Sequence, residues 1–173
     1  MRNPASLDRL VLDHLPAALR FATRLTGDPD QAEELVQEAL LRVVRKWTSF
    51  RGEAAFRTWF FRIVINVFRD RLSVLASERG PVEAPWEDLI DATDAGPPQA
   101  AMAAELAQLI AQEVSHLPPR QREVLVLIVY EGLSPPEVAG VVGISEGNVH
   151  SNLSAARTRL KTRLAPYLGS VER

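Results

Sequence analysis

Apolar positions recur at helical spacing along almost the whole chain, and nowhere do they alternate with a period of two. Toward the C-terminus, Val138, Ala139, Val141 and Val142 form a short apolar face, followed by Val149, Leu153, Ala156 and Leu160 at i, i+4, i+7 and i+11. Between the two runs sits Gly143, where a left-handed residue would close a helix. Ser134, Pro135, Pro136 and Glu137 open the first run as a Ser-x-x-Glu capping box with proline where a missing N–H does no harm. Ser145 is placed to cap the second. Two helices joined by a Gly-containing turn of about 3–4 residues make a helix-turn-helix, whose second helix enters the DNA major groove by its N-terminal end.

Upstream the same spacing predicts further helices. Ser6 caps one through Leu7, Leu10 and Val11, and Pro16 opens another ending near Gly27. Asp30 and Glu33 form an acidic capping pair for a long helix, Gln31 to Trp47. Its apolar positions are Ala32, Leu35, Val36, Ala39, Leu40, Val43 and Val44, with Glu34, Gln37, Glu38, Arg42 and Lys46 opposite. After the loop Phe50-Arg51-Gly52-Glu53, a helix from Ala54 to Leu75 carries Phe56, Trp59, Phe60, Phe61 and Phe68, interleaved with Arg57, Arg62, Arg69 and Arg71. Residues 77–98 are rich in Pro, Gly and acid without helical period, which reads as a linker. An alanine-rich helix, Gln99 to His116, ends at Leu117-Pro118-Pro119, and Arg120 to Tyr130 follows with Val124, Leu125, Leu127 and Ile128 inward. The expected fold is all-α: two small helical domains, 1–76 and 99–173, joined by a flexible acidic linker, 77–98, the C-terminal one holding the helix-turn-helix.

Charge sharpens this division. The net charge of −2 hides two mildly basic lobes around an acidic connector. Residues 1–76 hold 12 Lys and Arg against 9 Asp and Glu, residues 77–116 hold 1 against 8, and residues 117–173 hold 7 against 5. Screening over roughly 8–10 Å makes the local balance, not the sum, decide what each lobe attracts. With no cysteine, disulfides, thiolate catalysis and Cys-ligated zinc are excluded. His14, His116 and His150 are far apart, so no metal or cofactor site is expected. No glycine-rich phosphate loop or nucleophile–base pair suggests an enzyme. No apolar run approaches the roughly 18–20 residues of a membrane span, and no signal peptide is visible, so a cytoplasmic protein without membrane insertion is expected.

Two sets of residues together resemble a known family. Ala32-Glu33-Glu34-Leu35-Val36-Gln37-Glu38 is similar to the polymerase-binding helix of bacterial sigma factors. Phe50-Arg51-Gly52-Glu53, Phe56-Arg57-Thr58-Trp59, Arg62-Ile63 and Asn66 resemble the promoter-melting region that follows it. Leu117 to Val124, Gly132-Leu133-Ser134 and Ala156-Arg157 resemble the family's fourth conserved region. The two-lobe layout is similar to the extracytoplasmic-function (ECF) subfamily, over about residues 7–165.

The resemblance implies a factor that binds core RNA polymerase and directs promoter-specific initiation, with promoter DNA and an anti-sigma factor as further partners. It implies polymerase contacts at Glu34, Leu35, Gln37 and Glu38, and minus-10 contacts at Arg51, Gly52, Glu53, Phe56, Trp59, Arg62, Asn66 and Arg69. Aromatics suit unstacked bases, worth roughly 1–3 kcal/mol each, and arginines suit phosphates. Phe60 and Phe68 are expected in the core, and Trp59 shared between core and DNA. It implies minus-35 contacts at Ser145, Asn148, His150, Ser151, Asn152, Ser154 and Arg157. Here the chain departs from the family, because His150, Asn152 and Ala155 stand where basic residues are usual. The upstream preference should differ accordingly. The connector implies a tether, and the free protein is expected to be loose unless an anti-sigma partner holds it compact. Two other readings stay open on the residues alone: a helix-turn-helix regulator that is not a sigma factor, and a decoy that binds polymerase without promoter selectivity.

Overall fold

The computed structural model describes residues 4–52, 55–79 and 98–168. Helices account for nearly all of them: α1 (Pro4–Thr26), α2 (Pro29–Lys46), a 3-10 turn (Trp47–Ser49), α3 (Phe56–Arg79), α4 (Pro98–Ser115), α5 (Pro119–Leu125) running into a π turn (Val126–Tyr130), α6 (Pro135–Val142) and α7 (Glu146–Leu168). There is no strand among the described residues. None of the described helices is long and apolar enough to cross a membrane. The connector at 77–98 lies mostly outside the described residues, and its first three positions, 77–79, complete α3.

Three local expectations are corrected. Pro16 does not open a helix; it lies inside the single helix α1. An internal proline removes one backbone hydrogen bond and costs about 3 kcal/mol. The turns beyond it bury Ala18, Phe21, Ala22 and Leu25 completely. At about 1.5–3 kcal/mol for each large side chain, that burial outweighs the break. The cap of α2 is Asp28, not Asp30: its carboxylate accepts from the Gln31 N–H at 2.9 Å. Pro29, already fixed near helical φ and lacking an N–H, lets the helix begin two residues early. The run expected as one helix to Tyr130 loosens into the π turn, where the Glu131 N–H reaches the Val126 carbonyl at 3.1 Å, five residues back.

The N-terminal lobe packs α1, α2 and α3 around Phe21, Leu25, Leu35, Val36, Val43, Phe60 and Phe61, with the Phe21 and Phe61 rings 4.6 Å apart. The C-terminal lobe packs α4 to α7 around Val124, Leu127, Val138, Val149, Leu153 and Ala156. Instead of standing loose, the lobes share one continuous apolar core, with α1 and α3 pressed against α4, α5, the π turn and α6. Gly27 ends α1 with φ +78°, its N–H on the Thr23 carbonyl at 2.8 Å. The approach of α4 there is so close that a Cβ on Gly27 would stand 2.8 Å from Ser115 Cβ. Arg122 crosses the seam as a buried strut, donating to the carbonyls of Leu25 in α1 and Leu117 in its own lobe. Burial pushes its guanidinium down to about 10.

Candidate nucleic-acid and partner interfaces

Three surfaces carry the residues singled out by sequence. The first is the outer face of α2. Glu34 and Gln37 are exposed and Glu38 is half-buried, but Leu35 is wholly inside, so it supports this face from the core and does not form it. Val44, expected inside, is instead 63% exposed, and its neighbour Leu41 is 60% exposed. Helical phase explains both. Glu34, Gln37, Glu38, Leu41, Val44 and Arg45 fall on one side of a 3.6-residue repeat, opposite Leu35, Val36, Ala39 and Val43. The result is an apolar spot rimmed by charge. The charges are ordered from α3: Arg71 lies 3.5 Å from Glu34 and 3.4 Å from Glu38, and Arg42 bridges Glu38 at 2.6 Å and Asp70 at 2.7 Å. The hydrogen bond to Asp70 raises the Arg42 guanidinium above its ordinary value, opposed by burial and aided by Glu38.

The second surface is the Phe50 loop and the exposed side of α3. Phe50 stacks on Trp47 at 5.7 Å and packs against Trp59 at 4.8 Å. Phe56, expected to meet DNA, is buried beneath them among His14, Trp47, Phe50, Trp59 and Phe60. The α3 periodicity that buries Phe60 and Ile63 also carries Phe56 inward, so its ring props the loop. Trp59 is half-buried, and Phe60 and Phe68 are in the core as expected. Arg51 and Gly52 are exposed, whereas Glu53 lies outside the described residues. Arg62 and Asn66 project outward at i and i+4.

The arginines of this face do not stand in open solvent. Arg62 donates from Nε to the Gly140 carbonyl at 3.0 Å and again from Nη2. Arg69 grips both oxygens of Glu123, at 2.9 and 2.6 Å, and reaches the Val142 carbonyl at 3.0 Å. Arg57 donates to the carboxylate of Glu131 at 2.7 Å and to its carbonyl at 2.8 Å. All these acceptors belong to the C-terminal lobe. Glu123 and Glu131 have side chains only 1% and 4% exposed, and sequence reasoning gave them no role. A signal was present: Glu123 sits in phase with Val126 and Leu127 on the buried side of its helix, and a buried carboxylate requires a cation.

The third surface is α7. Gly143, at φ +76°, ends α6 with its N–H on the Ala139 carbonyl at 2.9 Å, and Ser145 Oγ accepts from the Asn148 N–H at 3.3 Å to begin α7. At Ser134 the expected capping box is formed, with Glu137 accepting from the Ser134 N–H at 2.8 Å and Oγ at 2.6 Å. Val149, Leu153 and Ala156 face inward. Ser145, Asn148, His150, Ser151, Ser154 and Arg157 are exposed on the other side, and Asn152 is half-buried. Two of these are turned back on their own helix: Ser151 Oγ donates to the Gly147 carbonyl at 3.0 Å and the Asn152 amide to the Asn148 carbonyl at 2.7 Å. Each must swing away from its helix to reach a base edge.

Comparison with known proteins falls on the same segments. Residues 10–77 match Sigma-70 region 2, and residues 107–160 match Sigma-70, region 4. The chain is 31% identical over 171 residues to the RNA polymerase sigma-H factor of Pseudomonas aeruginosa, covering 94% of this chain and 88% of that one. It is 31% identical over 165 residues to the ECF RNA polymerase sigma factor SigM of Mycobacterium tuberculosis, covering 95% and 80%. Among solved structures it resembles the sigma factor RpoE in complex with the anti-sigma factor NepR from Bartonella quintana, with TM-score 0.75, 27% identity, and 92% and 97% of the two chains covered.

Proposed function

The chain belongs to the extracytoplasmic-function sigma factors of the sigma-70 family, and from that premise we propose which of its surfaces performs each part of the work. As a sigma factor it binds core RNA polymerase and directs promoter-specific initiation. It acts in the cytoplasm, where polymerase and promoter meet, and the reading assigns it no reaction of its own. Residues 1–76 hold the polymerase and minus-10 functions, 99–173 the minus-35 function, and the segment between α3 and α4 is the tether. The 18 residues between the end of α3 and the start of α4 could reach no more than about 60 Å, enough to set two lobes apart along a promoter.

The outer face of α2 is the polymerase contact: Glu34, Gln37 and Glu38 around Leu41 and Val44, backed from inside by Leu35. A desolvated apolar centre with a charged rim is the anatomy of a specific protein interface. The minus-10 strand is bound by Arg51, Gly52, Glu53, Trp59, Arg62, Asn66 and Arg69, with Phe56 holding the loop. The minus-35 duplex is read by α7, using Ser145, Asn148, His150, Ser151, Asn152 and Ser154, while Arg157 holds phosphate. An anti-sigma factor is a further partner, as one is for the similar RpoE.

The observation that carries this reading is the α6–Gly143–α7 corner with the polar side of α7 turned outward. Run-off transcription with core polymerase on genomic fragments tests it. Specific start sites are expected with the parent chain, and loss of them with alanine at His150, Ser151, Asn152 and Ser154 together. Identical start sites and yields from parent and quadruple variant would overturn the assignment of α7.

A further inference from the structure

Most glycines among the described residues answer a need of the backbone: Gly27, Gly52, Gly132 and Gly143 all take a positive φ, which side chains resist. Gly147 does not. It is the second residue of α7 and exposed, and a Cβ on it would meet only Ser145 Oγ, at 3.9 Å, an ordinary contact. Gly140 in α6 is equally unconfined, but only Gly147 lies on the helix assigned to the upstream duplex. Within a helix glycine is less stable than alanine, because it loses the most backbone freedom on ordering. A residue that weakens its own helix and relieves no contact within the chain has its use outside the chain. We propose that Gly147 is a specificity-determining residue of α7: its missing side chain lets the helix seat close against the base edges of the upstream duplex, within reach of Asn148 and His150. This rests on the assignment of α7 to the minus-35 duplex.

Helical phase sets Gly147 at the outward crest of α7. At about 100° per residue it points away from the buried Val149, Leu153 and Ala156, with Ser151 one turn further along the same side. The Ser151 hydroxyl lies back on the Gly147 carbonyl at 3.0 Å, so the crest there is little more than backbone. Asn148 and His150 stand to either side of it, exposed, their side chains without a partner among the described residues. The major groove is about 12 Å wide and a helix with its side chains about 10–12 Å across, so the fit is close and small groups decide how deep the helix sits. A Cβ at the crest adds one carbon–carbon bond, about 1.5 Å. Held off by that much, short side chains beside it leave the range of about 2.7–3.2 Å in which hydrogen bonds to a base edge form. Gly147 thus weakens the free helix and sharpens discrimination on DNA.

The test pairs the melting temperature of the free full chain with promoter binding by the same chain on core polymerase. The probe is the genomic fragment that gives the strongest specific start with the parent, set against the same fragment with its upstream element scrambled. G147A should raise the melting temperature by about 1–4 °C, since alanine is the better helix former. It should also weaken binding to the intact fragment about tenfold, the scale of one base contact, and leave binding to the scrambled fragment unchanged. G147L should lose more on the intact fragment. Parent-like binding of both fragments by G147A would overturn the proposal. Weaker binding with a lowered melting temperature would overturn it too, since the fold itself would then require the glycine. So would an equal loss on both fragments, because the added methyl would then meet the sugar–phosphate backbone and not the base edges. A parent that binds both fragments alike would instead overturn the assignment of α7, and this inference with it. With a parent that discriminates, an unchanged G147A sinks the inference alone.

Discussion

Replacing Leu41 and Val44 by alanine should weaken binding to core polymerase without weakening the fold. In the free chain these side chains are 60% and 63% exposed, so more than half of each remains to be covered. Fully burying an aliphatic side chain is worth about 1.5–3 kcal/mol. The uncovered fraction therefore holds about 1–2 kcal/mol at each position. Alanine keeps the Cβ, so the pair should lose about 1.5–3 kcal/mol on binding, roughly 10- to 150-fold in Kd. Folding should be unaffected or slightly favoured, since neither side chain is in the core and alanine is the better helix former. Fluorescence anisotropy of labelled chain titrated with core polymerase gives the Kd, and a thermal melt followed by circular dichroism gives the control. A Kd within about twofold of the parent, with an unchanged melt, would refute the idea that this spot is buried by polymerase. Charge reversal at Glu38 is a poorer probe. It would set a lysine between Arg42 and Arg71 and disturb the α2–α3 pairing itself, whereas E34K touches only one 3.5 Å contact.

On α7, Asn152→Ala or Ser151→Ala should change which upstream sequence is selected, each base contact being worth roughly 1–3 kcal/mol of discrimination. Arg157→Ala should weaken all promoters alike and shallow the log–log salt slope by about 0.9, as read by filter binding at several salt concentrations. Phe60→Ala should cost about 3–5 kcal/mol in urea unfolding, because a fully buried ring leaves a cavity between α1, α2 and α3. The Glu137 carboxyl is held below its ordinary 4.5 by the Ser134 hydroxyl first and its N–H second. A carboxyl lowered by folding stabilises fully above its ordinary value, and that stabilisation is lost as pH falls through the folded one. Glu137→Gln should accordingly flatten the acid side of a plot of melting temperature against pH.

Most of the helices were legible because their apolar faces repeat strictly and their caps are local. The capping box at Ser134, the left-handed Gly143 and the inward set Val149, Leu153 and Ala156 all follow from neighbours within four residues. What was hidden depended on distance or on competition. Pro16 reads as a break until the burial of Phe21 and Leu25 against α3 is weighed against it. The π turn leaves no mark in a continuous apolar run such as Val126 to Tyr130. Phe56 and Trp59 look alike in sequence, and only the packing of α3 sends one ring inward and leaves the other half out. Arg62 and Arg69 were legible as cations on one helix face. Their present partners, 78 and 54 residues away in sequence, were not, because nothing local encodes a contact between lobes.

The π turn has a consequence for chain length. A π turn is an α-helix carrying one surplus residue, here between Val126 and Tyr130. Deleting a single residue, Ile128 for example, would let the segment wind as an ordinary helix. Everything beyond it would then rotate by roughly 100° about the α5 axis and draw back by about 1.5 Å. Glu131 would swing out of reach of Arg57, and α6 and α7 would lose their seat on α5. A change that removes one half-buried isoleucine would thus act as a change of helical phase. In this stretch the aim of α7 is fixed by how many residues precede it, more than by which ones they are.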